Sequence, residues 1–311
     1  MNANILIETE NLSKEEWLRV RKHGLGGSDI SILLGINPWR SELELWLDKT
    51  NQTNESVAEN EAMYFGSLLE PLLREEFTKR TGRKVVELKA ILQHNEYSFM
   101  IADVDGITQD DEGNPAILEL KTASEYKRSE WEQGVPNYYL TQVQHYLAVT
   151  GLKKAFVGVL IGGNTFVVRE VDADIEIQEM LIALEKDFWN KVTNMIRPDI
   201  GNSDAAKRLL DSIYSGGVEE QLVLPEDAIE YVDMYIEATA DMDSAKARQQ
   251  EASNHLKEFL ADYNSAKCLG HTINWKPVST QRIDTKALAE KYPEIAEKFT
   301  KTTVSRRFTL R

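Results

Sequence analysis

The 311-residue sequence holds a single cysteine, Cys268, which excludes an internal disulfide, a four-cysteine zinc site and a cysteine-ligated iron–sulfur cluster. Any metal must then be held mainly by oxygen or histidine, and the five histidines, at 23, 94, 145, 255 and 271, show no metal-ligand spacing. Long hydrophobic runs are missing too. No stretch approaches the roughly 18 consecutive apolar residues of a membrane span, and residues 1–10 lack the basic-then-apolar order of a signal peptide. The expectation is a cytoplasmic protein with no membrane partner. Basic charge is scarce: 36 Lys and Arg against 51 Asp and Glu give a net charge of −15. That balance argues against a protein that coats nucleic acid, because nonspecific affinity comes from neutralising phosphates. Gly26-Gly27 fits neither a Walker loop nor a dinucleotide fingerprint, so ATP dependence is unsupported.

With 42% hydrophobic residues the chain can bury a full core, and its length predicts two domains or one with an appendage. The pattern is α/β over residues 1–200, with a central sheet of mixed direction flanked by helices. Short helices are expected in the first 50 residues, with a capping box at Ser13 and a helix start at Ser28-Asp29. A longer helix spans 61–80, where Phe65, Leu68, Leu69, Leu72, Leu73 and Phe77 recur at helical spacing. Strands are predicted over 84–92, 98–102, 104–108 and 116–121, then helices over 124–133 and 137–149, a hairpin over 154–171 and a helix over 175–196. Residues 201–311 form a mainly helical extension of open role, with a long charged helix over 225–262 and a strand over 268–276.

The chemistry concentrates in a local acidic excess at Asp103, Asp105, Asp110, Asp111, Glu112 and Glu119. Such a run is either a solvated loop or a site for a hard divalent cation, which takes carboxylate and carbonyl oxygens. In Ile117-Leu118-Glu119-Leu120-Lys121 strand alternation puts Glu119 and Lys121 on one face and the leucines on the other. The preceding strand turn offers Asp103 and Asp105, both on one face, with Gly106 next. Gln142 and Tyr146 share a helix face at i and i+4.

An Asp followed by Glu-x-Lys on adjacent strands resembles the PD-(D/E)XK nucleases, and the chain is similar to the YqaJ-type phage recombinases, relatives of lambda exonuclease. The resemblance covers residues 13–196 and rests on Asp105-Gly106-Ile107, Leu118-Glu119-Leu120-Lys121, Gln142-Val143-Gln144-His145-Tyr146, Phe65 to Glu70, Arg21 with Ser28, Gly35 to Arg40, and Glu44-Leu45-Trp46. It implies a restriction-endonuclease-like core. Asp105 and Glu119 would be primary metal ligands, aided by the Leu120 backbone carbonyl and Glu70. Lys121 would orient water or stabilise phosphate, Gln142 and Tyr146 would position it or the scissile phosphate, and Arg21 with Ser28 would bind a terminal 5′-phosphate. Asp105 is preferred over Asp103 because Gly106 follows it directly. The implied activity is a Mg2+-dependent exonuclease, with Mn2+ able to substitute, that degrades linear double-stranded DNA from its 5′ end and leaves 3′ single strands. Its expected partners are DNA ends, a single-strand annealing protein and further copies of itself. A nuclease in another repair or defence setting, or an idle DNA-end binder that recruits an annealing partner, are the alternatives.

Overall fold

The structure is a computed structural model that describes residues 2–52, 61–302 and 305–310. Ser13 Oγ accepts from Glu16 N at 3.3 Å while Glu16 Oε2 accepts from Ser13 N at 2.9 Å. This reciprocal cap opens α1 (Lys14–Lys22) and satisfies two otherwise orphaned donors. Ser41 and Glu44 repeat the device at the start of α3 (Glu42–Lys49). Between them α2 (Gly27–Leu33) starts at Gly26, not at Ser28-Asp29. Asp29 Oδ2 accepts from Gly26 N at 3.0 Å, so the carboxylate of the third helical residue secures the start and Ser28 keeps its hydroxyl for another partner.

The first residues hold a strand, β1 (Ala3–Glu8), that the helical reading of this region did not anticipate. β1, β2 (Ala90–His94) and β3 (Ile101–Ala102) form an antiparallel three-stranded sheet in that order. The strand expected over 84–92 is therefore shorter and later. Val86 makes only an isolated bridge to Ile107. The second sheet is the mixed central one, ordered β4 (Gly106–Gln109), β5 (Pro115–Ala123), β6 (Lys154–Ile161) and β7 (Thr165–Asp172). β4 and β7 run antiparallel to their neighbours, while β5 and β6 are parallel. A parallel pair needs a crossover, supplied here by α5 (Arg128–Glu132) and α6 (Asn137–Thr150). α4 (Glu61–Thr81) packs on β5 and β6, and α7 (Ile175–Thr193) packs on α2, α3 and α6.

Two hydrophobic groups clamp the central sheet. Ile117, Val157 and Val159 lie with Trp131, Val143, Tyr146 and Leu147 of the crossover. Leu118, Leu120, Phe156 and Phe166 lie with Leu73 and Phe77 of α4. Each fully buried side chain of this kind contributes about 1.5–3 kcal/mol. The alternation of β5 thus sends its leucines to α4 and leaves Glu119 on the α6 side.

This compact unit extends to Ile213, beyond the boundary at 200 read from the sequence, because α8 (Asp204–Ile213) buries Ala205 and Ala206. Residues 214–311 form a second unit. It holds the long helix, α9 (Ile229–Leu260), and two short ones, α10 (Thr285–Lys291) and α11 (Pro293–Phe299). Where a single strand was expected over 268–276 there is a hairpin, β8 (Ser265–Cys268) and β9 (His271–Asn274). Leu269 and Gly270 turn it with φ of 42° and 86°, the paired left-handed geometry that matches strand twist in a two-residue loop.

Candidate active site

Gly106 pairs with Leu118 across β4 and β5, which brings Asp105, one residue before the strand, beside the Glu-x-Lys segment. Asp105 Oδ2 accepts from Leu120 N at 2.6 Å, so a carboxylate ends the ladder where a backbone carbonyl would otherwise continue it. Gly106 itself is closely packed by the preceding loop: a Cβ there would lie 2.6 Å from Val85 Cγ1. Asp103 is engaged elsewhere, accepting from Trp17 Nε1 at 2.8 Å. The structure thus places Asp105, the preferred of the two aspartates, against the segment that carries Glu119 and Lys121.

Glu119 is buried, with 2% exposure. Its Oε1 accepts from Lys121 Nζ at 2.5 Å and from Gln142 Nε2 at 2.7 Å, and the same amide nitrogen lies 3.1 Å from the Tyr146 hydroxyl. The pair on α6 therefore reaches Glu119, where the sequence reading aimed it at Lys121 or the phosphate. Lys121 Nζ also sits 5.0 Å from the centroid of the Tyr139 ring, a cation–π contact. Glu70 lies on α4, half-buried and ion-paired with Arg74.

The electrostatics are those of a crowded acid cluster. Burial, then the Glu119 charge, pushes Asp105 well above the ordinary carboxylate range; Lys121 opposes the shift and Glu70 adds to it. Burial raises Glu119 as well, with Lys121 opposing and Glu70 and Asp103 adding. For Lys121 burial disfavours the charge, yet Glu119 and Asp105 outweigh it and the ammonium is held more firmly than usual. Burial and Glu119 keep the Tyr146 phenol protonated. Each acid here is short of positive charge.

A divalent cation suits this donor set. Glu119 Oε2 is buried without a hydrogen-bond partner, and a buried carboxylate oxygen left open costs free energy unless a cation or donor fills it. Among the described residues no three acid, histidine or cysteine side chains are gathered into a metal cluster. Asp105 and Glu119 are the two carboxylates brought to the Leu120 segment, with Glu70 adding negative charge to both.

Beside it lies the arginine–serine pair. Arg21 Nη2 donates to Ser28 Oγ at 3.0 Å, and the guanidinium stacks 4.8 Å from the Trp17 ring centroid. Ser28 is exposed. Of the three glycines between them, two bear on the site: a Cβ on Gly26 would lie 2.7 Å from Arg21 Nη2, and one on Gly27 would lie 2.7 Å from both Gln142 Cγ and Tyr146 Cε1. Gly27 thereby lets α2 close on the helix that holds Glu119. Beneath the pair is an ion pair that the sequence did not disclose. Lys49 Nζ bonds Asp29 Oδ2 at 2.9 Å and the Arg21 carbonyl at 2.9 Å, with both side chains buried. Lys49 sits in the last turn of its helix, where a lysine reads as a surface cation. No spacing signal separates it from one.

The match to the YqaJ-like viral recombinase domain covers residues 16–153, the stretch that contains every one of these side chains. The chain is also 40% identical over 314 residues to the uncharacterized protein YqaJ of Bacillus subtilis (strain 168), covering 99% of this chain and 98% of that one. The chain belongs to the YqaJ-like viral recombinase family. Among solved structures, this YqaJ-like chain is similar to an alkaline exonuclease from Laribacter hongkongensis, at 21% identity and a TM-score of 0.48, over 59% of this chain and 97% of that one. It is similar as well to a phage-related exonuclease from Haemophilus somnus 129PT, at 12% identity and a TM-score of 0.40, over 58% and 99%. The YqaJ-like chain thus has a mixed sheet flanked by helices, with Asp105 immediately before β4 and Glu119 and Lys121 on β5.

Proposed function

We propose that the chain is a divalent-metal-dependent DNA exonuclease that hydrolyses one strand of linear duplex from its 5′ end and leaves a 3′ single-stranded tail. The observation that carries this reading is the buried Glu119, joined to Lys121 and Gln142 on one oxygen and unpartnered on the other, with Asp105 beside it. Asp105, Glu119 and the Leu120 carbonyl would hold the cation, Mg2+ or Mn2+, with Glu70 adding negative charge. When bound, such an ion activates water and offsets charge that builds on the leaving oxygen.

The chain's own side chains supply the rest. In the reaction the oxygen of water bonds to phosphorus and the P–O3′ bond breaks, so negative charge grows on the phosphate oxygens and the 3′-oxygen. Lys121, kept protonated by Glu119 and Asp105, is a fixed positive donor for that charge, and a preorganised donor acts without reorientation at the moment of reaction. Gln142 and Tyr146 hold Glu119 in place. Half-buried Arg21 and exposed Ser28, already hydrogen-bonded to each other, fit a terminal 5′-phosphate, which would set the strand and the starting end. The 3′ tail would then be handed to a single-strand annealing protein in phage-type recombination, and assembly of several copies around DNA would keep the enzyme on its track.

Digestion of linear duplexes bearing 5′-phosphate or 5′-hydroxyl ends, beside a covalently closed circle, tests the reading. Faster digestion from 5′-phosphate ends and an intact circle are expected. Metal-dependent cutting of the circle would contradict exonuclease action, and indifference to the 5′-phosphate would remove the role of Arg21 and Ser28.

A further inference from the structure

The segment Gly35 to Arg40 has no part in the chemistry described so far, yet it is strongly braced. Asn37 Oδ1 accepts from Trp39 N and Arg40 N, both at 2.9 Å, and Asn37 Nδ2 donates to Ser31 Oγ at 2.9 Å. Arg208 Nη2 donates to the Pro38 and Trp39 carbonyls at 3.1 and 3.3 Å. An asparagine turn of this kind fixes the backbone locally, and the arginine fixes it from another element. Despite this bracing the Trp39 side chain is 60% exposed. The braced backbone holds the indole in that exposed position.

What Trp39 touches is informative. Its ring meets Tyr138 edge-on at 6.2 Å, Tyr138 lies 4.5 Å from Tyr139, and Tyr139 lies under Lys121 Nζ at 5.0 Å. Buried Trp131 backs Tyr139 at 5.6 Å, and the Tyr138 hydroxyl donates to Glu130 at 2.7 Å. A continuous aromatic ledge therefore runs from an exposed indole to the ammonium at the candidate active site. The rings meet at 90° and 57°, so they do not stack on one another; aromatic faces beside a cation are the combination that single-stranded nucleic acid uses, in which bases stack and the backbone meets positive charge, with no base-edge readout.

We propose that Trp39 and Tyr138 form a stacking platform for the unpaired bases of a DNA strand next to the Lys121 site. The proposal rests on the nuclease reading for its substrate class. The platform favours no sequence, as a processing enzyme requires. It also supplies affinity from apolar and π contacts in a protein whose net charge offers little, and that affinity is less sensitive to salt than phosphate contacts are.

The test is equilibrium binding, without divalent metal so that no strand is cut, of a fluorescent oligodeoxythymidine and of an abasic strand of equal length. Full-length wild type, Trp39→Ala, Trp39→Phe and Tyr138→Ala are compared by anisotropy, with thermal midpoints recorded alongside. Trp39→Ala should bind the base-bearing strand about 5- to 150-fold more weakly, the range that one stacked base contributes. Trp39→Phe should recover part of that loss, and all four proteins should bind the abasic strand alike. Tyr138→Ala gives the same base-dependent loss with the indole still present, so a misfolded Trp39 variant would not leave the question open. Unchanged oligodeoxythymidine binding by both alanine variants, or an equal loss on the abasic strand, would overturn the platform. Because the readout is binding without cleavage, failure of the nuclease reading shows separately, as intact linear DNA in the presence of metal.

Discussion

Gln142 Nε2 lies 2.7 Å from Glu119 Oε1, so one side-chain amide ties the crossover helix to the strand that carries the acid. A hydrogen bond to a charged group is worth about 1.5–3 kcal/mol. Gln142→Leu keeps the volume and removes the donor. It should lower the initial rate on linear duplex by about 10- to 150-fold, at 1.36 kcal/mol per decade, while the chain remains folded by circular dichroism. An undiminished rate would show that the amide does not position Glu119.

His145, next to Tyr146 on α6, is held at both ring nitrogens: Nδ1 lies 2.9 Å from Glu185 Oε1 and Nε2 lies 2.9 Å from the Ile101 carbonyl. The Ile101 carbonyl can only accept, so Nε2 donates to it, while Nδ1 faces the Glu185 carboxyl. Burial opposes the charge, but Glu185 and the Ile101 carbonyl outweigh it and raise the pKa. The folded chain then binds this proton more tightly than the unfolded one. The pair's contribution is complete below the unfolded value of about 6.5 and is lost as pH rises through the higher folded value. Urea denaturation should show the stability gap between wild type and His145→Gln shrinking from pH 5.5 to pH 9. A gap that widens with pH would reverse the assignment.

Lys49 and Asp29 form a buried pair under the Arg21 backbone. Removing one partner strands the other charge, at a cost of about 3–5 kcal/mol. Lys49→Met should lower the unfolding free energy by that amount, and Asp29→Asn with Lys49→Met should recover part of it. A double-mutant cycle in urea checks this; strictly additive losses would mean the two charges do not depend on each other.

Gly27→Ala would put a methyl group 2.7 Å from Gln142 Cγ and Tyr146 Cε1 and 3.0 Å from the Gln142 carbonyl. Overpacking of this kind costs about 1–3 kcal/mol. The thermal midpoint should fall and activity should fall with it, because α2 must move away from the helix that holds Glu119. Gly35→Ala has no neighbour within 4 Å, although its φ of +68° adds backbone strain, so its effect should be confined to stability.

The sequence made the centre of this site legible because its geometry is local. Strand alternation put Glu119 and Lys121 on one face, and the i, i+4 spacing put Gln142 and Tyr146 on another that meets it. The capping box at Ser13 was readable for the same reason. What stayed hidden depends on distant partners. Lys49 reads as a surface cation until α3 carries it beneath Arg21, and the gap between Trp17 and Asp103 has no periodic signature. β1 escaped because its residues alternate poorly, and its pairing with β2 spans the better part of a hundred residues. The hairpin at Leu269-Gly270 was missed because a leucine in the left-handed region is rare enough to look like the middle of a strand.

The central claim is that Glu119 and Lys121 form a nuclease centre. It is tested most directly by digesting end-labelled linear duplex in Mg2+ with wild type, Lys121→Ala and Glu119→Gln side by side, and by repeating the wild-type reaction in excess chelator. A nuclease centre there requires metal-dependent loss of label from the wild type, and a fall of at least about 100-fold for each folded variant, the loss typical of removing one electrostatic stabiliser. Equal digestion by wild type and Lys121→Ala, or digestion that continues in chelator, would contradict it.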